Sequence, residues 1–218
     1  MERKKVVVLG LGIFGSTLAR DLSRYNFDVI GTDKDMECVE RVSGLISKAV
    51  CIDFTDLEVL KEIGAEGADI GVVSTGSNLE DSIMGILNLK ELGVPHIIAK
   101  AKNKKYSEVL KKIGADATVS PDKDTAKHVA KRLSSRDIIE LFDIDNEYTI
   151  FDIKVVKSWI GHNLVELDLR KKYDLNVIGV RRDGKLLVNF DPKEPLKSTD
   201  EILIVGNNKI FEDLRELS

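Results

Sequence analysis

Short apolar runs alternate with longer amphipathic segments over the first 134 residues, and this alternation constrains the fold more than any other feature of the chain. Six runs are rich in β-branched residues and apolar on both faces, as expected of parallel strands that helices cover. These runs are 5–10, 28–32, 49–52, 70–74, 96–100 and 117–120. In the segments between them, apolar residues recur three and four positions apart, as in amphipathic helices. These segments are 14–25, 36–44, 57–63, 78–92, 104–113 and 122–134. Six β–α units in succession predict an α/β fold with a doubly wound parallel sheet.

The pattern changes near residue 148, where shorter apolar runs take over. Strands at 148–155, 176–181, 186–190 and 201–205, with helices at 163–172 and 209–217, predict a small α+β domain with an antiparallel sheet. Asp183-Gly184 predicts a hairpin, because a type I′ turn needs residues that tolerate positive φ. The intervening residues 135–147 are too apolar for a free linker and predict a connecting helix that packs on another surface. We therefore expect a first domain over 1–134, a connector over 135–147 and a C-terminal domain over 148–218.

Composition excludes several classes of protein. The chain has 33 basic and 37 acidic residues and a net charge of −4, so it lacks the basic footprint of a nucleic-acid binder. No apolar stretch approaches the roughly 18–20 residues of a membrane-spanning helix. Two cysteines, Cys38 and Cys51, are too few for a disulfide framework or a zinc cage. These features predict a soluble cytoplasmic protein with no nucleic-acid partner.

A glycine loop, Gly10-x-Gly12-x-x-Gly15, follows the first predicted strand and opens the first helix. In this context the first glycine permits a tight turn, the second lets the backbone approach a phosphate, and the third lets the helix pack closely on the sheet. The helix N-terminus favours an anion. Asp33 ends the second strand, 21 residues after Gly12, at the spacing expected of an acid that accepts hydrogen bonds from ribose hydroxyls. A carboxylate there disfavours a 2′-phosphate, so the loop predicts a Rossmann-like site for an adenosine nucleotide other than NADP.

Other strand ends should line the same crevice, because ligands of open α/β sheets bind at the carboxyl ends of the strands. Lys100 could bind a β- or γ-phosphate there, or be a surface lysine. Asp122 could hold a cation beside the phosphates, or only complement the dipole of its helix. Ser77 and Asn78 could equally be helix caps. The predicted nucleotide-binding residues are Gly10, Gly12, Ile13, Phe14, Gly15, Asp33, Lys34, Asp53, Phe54, Thr75, Gly76, Ser77, Asn78 and Lys100.

Catalytic residues are harder to find in the sequence. Neither His96, His128 nor His162 lies beside a carboxylate at a predicted strand end, and the C-terminal domain shows no nucleophile with a base. The preferred interpretation is therefore a binding protein without enzymatic activity. The alternatives are an NAD-dependent oxidoreductase with a small C-terminal substrate domain, and a scaffold that needs no ligand.

The combination of motifs resembles the RCK (regulator of potassium conductance, or KTN) domain family. The resemblance is carried by the glycine loop 10–15, Asp33, the Gly93-Val94-Pro95 turn and the segments 99–103 and 113–116. The tail is similar to the smaller RCK C-terminal domain. A chain with one such unit resembles the cytosolic gating subunits of Ktr-type potassium transporters.

This resemblance implies a regulatory protein. Such subunits form dimers and octameric rings at the inner face of the cell membrane, beneath a pore-forming potassium transporter or channel subunit. They bind ATP or ADP, or NAD(H) in Trk-type relatives, and nucleotide exchange changes the shape of the ring. By resemblance Asp33 would bind the ribose, Lys100 a terminal phosphate, and Asp122 a cation near the phosphates. Ile13 departs from the arginine of several Ktr subunits, which makes a dinucleotide or AMP an alternative ligand.

Related C-terminal domains bind cyclic di-AMP at a dimer interface. By resemblance, a second site for that ligand would comprise Arg170, Ile178, Val180, Arg181 and Pro192. The apolar members of this set are equally what a small sheet needs for its core.

Overall fold

A computed structural model describes residues 3–75, 78–134, 138–145 and 147–207. The chain divides into two compact units between Asp124 and Thr125. None of the described helices is long and apolar enough to cross a membrane.

The first unit contains a six-stranded parallel sheet, which confirms the Rossmann-like prediction. Its strands are β1 (Lys5–Leu9), β2 (Asp28–Asp33), β3 (Lys48–Cys51), β4 (Ile70–Val73), β5 (His96–Lys100) and β6 (Ala117–Val119). The strand order is β3-β2-β1-β4-β5-β6. From β1 the chain builds outward to β3 and then returns to the other side of β1 at β4. Such a reversal opens a crevice at the carboxyl ends of β1 and β4.

Helices cover both faces of this sheet. They are α1 (Ile13–Arg24), α2 (Met36–Glu40), α3 (Leu57–Glu62), α4 (Leu79–Glu91) and α5 (Lys104–Ile113). A sixth helix, α6 (Pro121–Ser134), follows β6 and is exposed from Asp122 to Ala130. Val7 of β1 belongs to the same buried cluster as Leu89 of α4, whereas its neighbour Val8 belongs to a second cluster with Ala19 of α1. Alternate side chains of a strand point to opposite faces, so the continuous apolar run of β1 fills two cores at once.

The second unit is built on an antiparallel sheet, as predicted, but the sheet has five strands rather than the four expected. Its strands are β7 (Ile138–Asp143), β8 (Tyr148–Lys154), β9 (Asn176–Arg182), β10 (Lys185–Leu187) and β11 (Glu201–Asn207), in the order β10-β9-β11-β8-β7. Among the described residues between β8 and β9, the helical segments are a 3-10 helix (Lys157–Trp159) and the short helices α7 (Leu164–Leu167) and α8 (Leu169–Tyr173). Phe151, Trp159, Val180 and Ile202 share the buried core of this unit.

Two predicted helices differ in the structure. The segment expected to form a connecting helix contains strand β7 instead, which pairs with β8 from Ile138 to Asp143. Its run of isoleucine, leucine and phenylalanine suits a strand as well as a helix. Pairing with β8 selects the strand. The helix expected at 163–172 is broken into α7 and α8 at Asp168, whose φ is 42°. The helix expected at 209–217 lies outside the described residues.

Candidate functional site

Gly10 makes the turn that leaves β1. Its φ is +94°, a conformation that side chains disfavour. The N–H of Gly10 donates to the carbonyl of Thr32 at 2.8 Å, and the buried Ser74 hydroxyl donates to the Gly10 carbonyl. The turn is therefore fixed between the ends of β2 and β4, on both sides of the crevice.

The other two glycines of the loop have opposite surroundings. A Cβ at Gly15 would lie 2.0 Å from the Gly10 carbonyl oxygen and 2.3 Å from Ser74 Oγ, so α1 approaches the turn more closely than any side chain allows. A Cβ at Gly12 would meet nothing within 4 Å, and the φ of Gly12 is −58°. The fold alone therefore does not require glycine at position 12, where α1 begins and where the backbone faces open space.

Asp33 is oriented by two backbone N–H groups. One carboxylate oxygen accepts from Leu11 N–H at 2.6 Å, and the other accepts from Asp35 N–H at 3.0 Å. A carboxylate oxygen has more than one acceptor position, so both oxygens can still accept from a diol. The glycine loop thus holds the acid at the end of β2 in a fixed orientation.

A cavity of about 580 Å³ lies over this edge of the sheet, within the size range of small-molecule sites. Its lining residues are Gly10, Gly12, Asp33, Lys34, Phe54, Ser74, Thr75, Asn78, Asp81, Lys100, Lys102 and Asp122. Phe54 is 7% exposed and belongs to the sheet core, while Asn88 donates to its carbonyl at 3.0 Å. A rigid aromatic side chain and a fixed acid therefore lie on the same cavity.

A second cavity of about 450 Å³ adjoins the first at the start of α1. It shares Gly12, Ser74, Lys100 and Asp122 with the first cavity, and Ile13, Phe14, Thr17 and Pro121 complete its lining. Ile13 is 83% exposed. The second cavity thus has two charged lining residues, Lys100 and Asp122, whereas the first has six.

Lys100 lies where the two cavities meet. Its side chain is about four-fifths buried, and its Nζ lies 3.4 Å from Asp122 Oδ2 and 5.9 Å from the centroid of the Phe14 ring. An ammonium at this distance is attracted to the aromatic face. The charge is therefore held beside the N-terminus of α1.

Not every predicted residue joins this group. Asp53 accepts from the N–H and hydroxyl of Thr55 at 2.9 and 2.7 Å, and these two hydrogen bonds lower the pKa of its carboxyl. Its side chain is absent from the described lining of the cavity. Gly15 lies beneath the turn rather than on the cavity surface. Asn78 lines the cavity and also caps α4, accepting from Glu80 N–H at 2.9 Å. Gly76 and Ser77 lie outside the described residues.

Three lining residues of the first cavity were missed by the sequence analysis, and Thr17 and Pro121 of the second were missed as well. Ser74 directly follows β4, and Lys102 lies two residues beyond Lys100; position relative to a strand end could have indicated both. Asp81, in the first turn of α4, reads as an ordinary acid at a helix start. Its carboxylate lies 3.8 Å from Lys34 Nζ. The charged lining residues thus comprise three lysines and three aspartates.

The residues predicted for a second ligand are not gathered on one surface of the described chain. Val180 is fully buried in the core of the second unit, and Arg181, next to it on β9, points to the opposite face. Arg181 pairs there with the buried Asp152 and with Glu201. Ile178 is half-buried, whereas Arg170 and Pro192 are exposed.

Comparison with known proteins identifies the family. Residues 6–121 match the TrkA-N domain and residues 149–218 match the TrkA-C domain. The chain is 34% identical to the Ktr system potassium uptake protein C of Bacillus subtilis over 94% of this chain and 93% of that protein. It is 28% identical to protein A of the same system in B. subtilis, over 96% and 94%. It is 27% identical to the corresponding protein A of Vibrio alginolyticus, over 98% of both.

Solved structures agree on the fold. The RCK domain of GsuK matches with a TM-score of 0.61 at 20% identity, and the GsuK channel with 0.67 at 18%. Both matches cover 99% of this chain, which spans 48% and 39% of those longer chains. The resemblance to the RCK family is thereby confirmed, and the chain belongs to the family of TrkA-N/TrkA-C proteins that includes the Ktr system potassium uptake proteins.

Proposed function

We propose that this chain is a regulatory subunit of a Ktr-type potassium uptake system, and that it senses an adenine nucleotide without transforming it. Relatives that align over nearly their whole length are potassium uptake proteins. The main support for a nucleotide site is that an oriented acid and open space occur in the same loop. The glycine loop orients Asp33, and Gly12 leaves room for a phosphate. A ligand then regulates by binding two conformations of the assembly with different affinities.

The ligand's parts correspond to the parts of the site. The ribose hydroxyls donate to Asp33, and the phosphates lie against Gly12 and the N-terminus of α1, where free N–H groups and the helix dipole favour anions. Lys100 binds a terminal phosphate. ATP and ADP are the first candidates, and NAD(H) and AMP are the alternatives, because Ile13 places no charge at the start of α1. GsuK, which shares the fold, has been solved bound to NAD and bound to ADP.

The proposal includes the assembly and its setting, by analogy with the family. The subunit forms a homo-oligomer, a dimer or an octameric ring, against a pore-forming potassium transporter or channel subunit at the cytoplasmic face of the membrane. The exposed apolar side chains Val129 and Leu133 on α6 support burial against another chain. The proposal also includes a cation bound at Asp122 and a cyclic di-AMP site in the C-terminal domain.

A panel of ligands tests the function. Thermal unfolding is measured with ATP, ADP, AMP and NADH, each without and with Mg²⁺. A ligand at 100 times its Kd should stabilise the folded protein by about 2.7 kcal/mol. The same samples are followed for loss of the ligand and for NADH absorbance. Stabilisation with an unchanged ligand supports a sensor, whereas turnover at enzymatic speed, or no stabilisation by any of the four, contradicts it.

A further inference from the structure

The ion pair between Lys100 and Asp122 joins the candidate phosphate site to α6. Lys100 ends β5 and lines both cavities, whereas Asp122 lies in the first turn of α6 with its side chain 90% exposed. The two charges are 3.4 Å apart. The lysine proposed to bind phosphate therefore already holds an anion supplied by the chain itself.

Among the described side chains of α6, Asp122 is the only one with an ion pair or hydrogen bond to another element. Every residue from Asp122 to Ala130 is exposed. Just before the helix, the Ser120 hydroxyl donates to the Ala101 carbonyl at 2.9 Å. The first turn of α6 is thus attached to the end of β5 through these two neighbouring contacts, of which the ion pair is the one open to the cavity.

α6 is also where the chain passes from one compact unit to the other, since the division falls between Asp124 and Thr125. Asp122 therefore belongs to the first unit, and most of the helix that it begins belongs to the second. A change at the first turn of α6 acts on the segment that connects the two units.

We propose that Asp122 is an internal competitor of the nucleotide for Lys100, and that phosphate binding breaks this ion pair and releases the first turn of α6. This inference rests on the proposed function of the site. A phosphate at the N-terminus of α1 and the Asp122 carboxylate are both negatively charged. They therefore repel each other when both lie beside the Lys100 ammonium. An exposed ion pair is weak, and the phosphate has N–H donors of the helix that Asp122 lacks. The phosphate therefore displaces the carboxylate.

Asp122→Asn tests the competition, with Asp124→Asn as the matched control. Asp124 lies in the same turn, is also exposed and loses the same charge, but it has no lysine partner among the described residues. Binding of ADP and of adenosine is measured by calorimetry at low ionic strength in EDTA. Asp122→Asn should raise the affinity for ADP by up to about fivefold, the range of an exposed ion pair. Adenosine, which has no phosphate, should bind all three proteins equally.

A double-mutant cycle separates competition for Lys100 from simple repulsion of the phosphate. In the Lys100→Met background, the gain from Asp122→Asn should disappear. A gain that persists there, an equal gain in Asp124→Asn, or a loss of ADP affinity in Asp122→Asn overturns the proposal. If the wild-type protein binds none of ATP, ADP, AMP and NADH, the proposed function itself fails; if it binds another of these nucleotides but not ADP, that nucleotide replaces ADP in the cycle.

Hydrogen exchange tests the release of α6. Peptides covering residues 121–134 are compared with and without ADP. ADP should accelerate exchange in the wild-type protein, and Asp122→Asn should show the faster exchange without ligand. Equal exchange in all of these samples contradicts the release.

Discussion

Gly12 and Gly15 belong to one short loop, yet a methyl group would meet open space at the first and the Gly10 carbonyl oxygen, at 2.0 Å, at the second. The two glycines therefore have separable roles. Gly15 is required by packing within the chain, whereas at Gly12 only the proposed ligand, by approaching the backbone, would require glycine.

We predict opposite effects for the two alanine variants. Gly15→Ala should lower the free energy of unfolding by about 1–3 kcal/mol or more, as overpacking does. Gly12→Ala should lower it by no more than about 1 kcal/mol, because alanine is a poorer helix N-cap than glycine but its Cβ would meet nothing within 4 Å. Its ADP affinity should nevertheless fall about tenfold or more, the equivalent of about 1.4 kcal/mol. Urea unfolding and calorimetry measure both quantities; a stable Gly12→Ala protein with wild-type affinity would contradict the assignment.

A buried ion pair fixes the loop that precedes β11. Both carboxylate oxygens of Asp200 accept from Arg182, at 2.8 and 2.6 Å, and the side chain of Asp200 is fully buried. Arg182 also contacts the half-exposed Glu194 and lies over the Phe190 ring. The hydrogen bonds from Arg182 hold the pKa of Asp200 below its usual range, against the opposing effect of burial.

Asp200→Asn should lower the free energy of unfolding of the second unit by about 3–5 kcal/mol at pH 7, because Arg182 is left without its buried partner. Glu194→Gln, the control, should cost no more than about 1 kcal/mol. Trp159, the only tryptophan and 2% exposed, reports this unfolding by fluorescence.

The same pair makes stability depend on acid pH. The pKa of Asp200 is lower in the folded than in the unfolded state, so its contribution is complete above the unfolded value of about 3.9 and is lost as pH falls through the folded value. Wild-type protein should therefore lose stability below about pH 4 more steeply than Asp200→Asn does. Parallel pH profiles for the two proteins would contradict this reading.

At the scale of elements, the turn between β9 and β10 illustrates local control of structure. Asp183 and Gly184 both have positive φ, 50° and 77°, and Lys185 pairs with Arg182 across the turn. The hairpin predicted from these two residues is confirmed. A Cβ at Gly184 would meet nothing within 4 Å, so the need for glycine there is purely conformational.

Gly184→Ala should therefore destabilise the second unit by about 1–2 kcal/mol through backbone strain alone. Asp183→Asn should have little effect, because asparagine accepts positive φ as readily as aspartate. Urea unfolding followed by Trp159 fluorescence distinguishes them. Equal stability of the two variants would show that the turn does not set the pairing of β10.

The elements predicted correctly are those whose sequence pattern lies within a few neighbouring residues. The parallel sheet, with its strands apolar on both faces, and the hairpin follow from patterns within a few residues. Strand β7 does not, because its apolar run from Ile138 to Phe142 fits a helix as well as a strand, and only pairing with β8 selects between them. The break at Asp168 depends likewise on a left-handed conformation that aspartate adopts without requiring it.

The candidate site was predictable to the same extent. Gly12 and Asp33 were found because their spacing is characteristic of the motif, and both line the cavity. Asp53 also follows a strand, but its carboxylate is engaged by Thr55. Lys102 reaches the cavity from the loop after β5 and Asp81 from the first turn of α4, and no spacing between the two in the sequence indicates that they line one cavity.

At the scale of the whole molecule, the proposed binding site lies in the first unit, next to the start of a helix that continues into the second. The ion pair between Lys100 and Asp122 connects the site to α6, the helix in which the chain passes from the first unit to the second. Under the proposed function, regulation of potassium uptake requires no chemistry on the nucleotide. It requires that ligand binding and the conformation of α6 depend on each other, and such a coupling is reciprocal.

Calorimetry of ADP binding to wild-type protein, Asp33→Asn and Asp53→Asn tests the central claim most directly. Asp33 accepts from the glycine loop at the rim of the cavity, whereas Asp53 is engaged with Thr55 outside its lining. Loss of a hydrogen bond to a charged group costs about 1.5–3 kcal/mol, so Asp33→Asn should bind ADP roughly 10–100 times more weakly. Asp53→Asn should bind as the wild type does. Equal affinity of Asp33→Asn and wild-type protein would contradict a nucleotide site at the glycine loop.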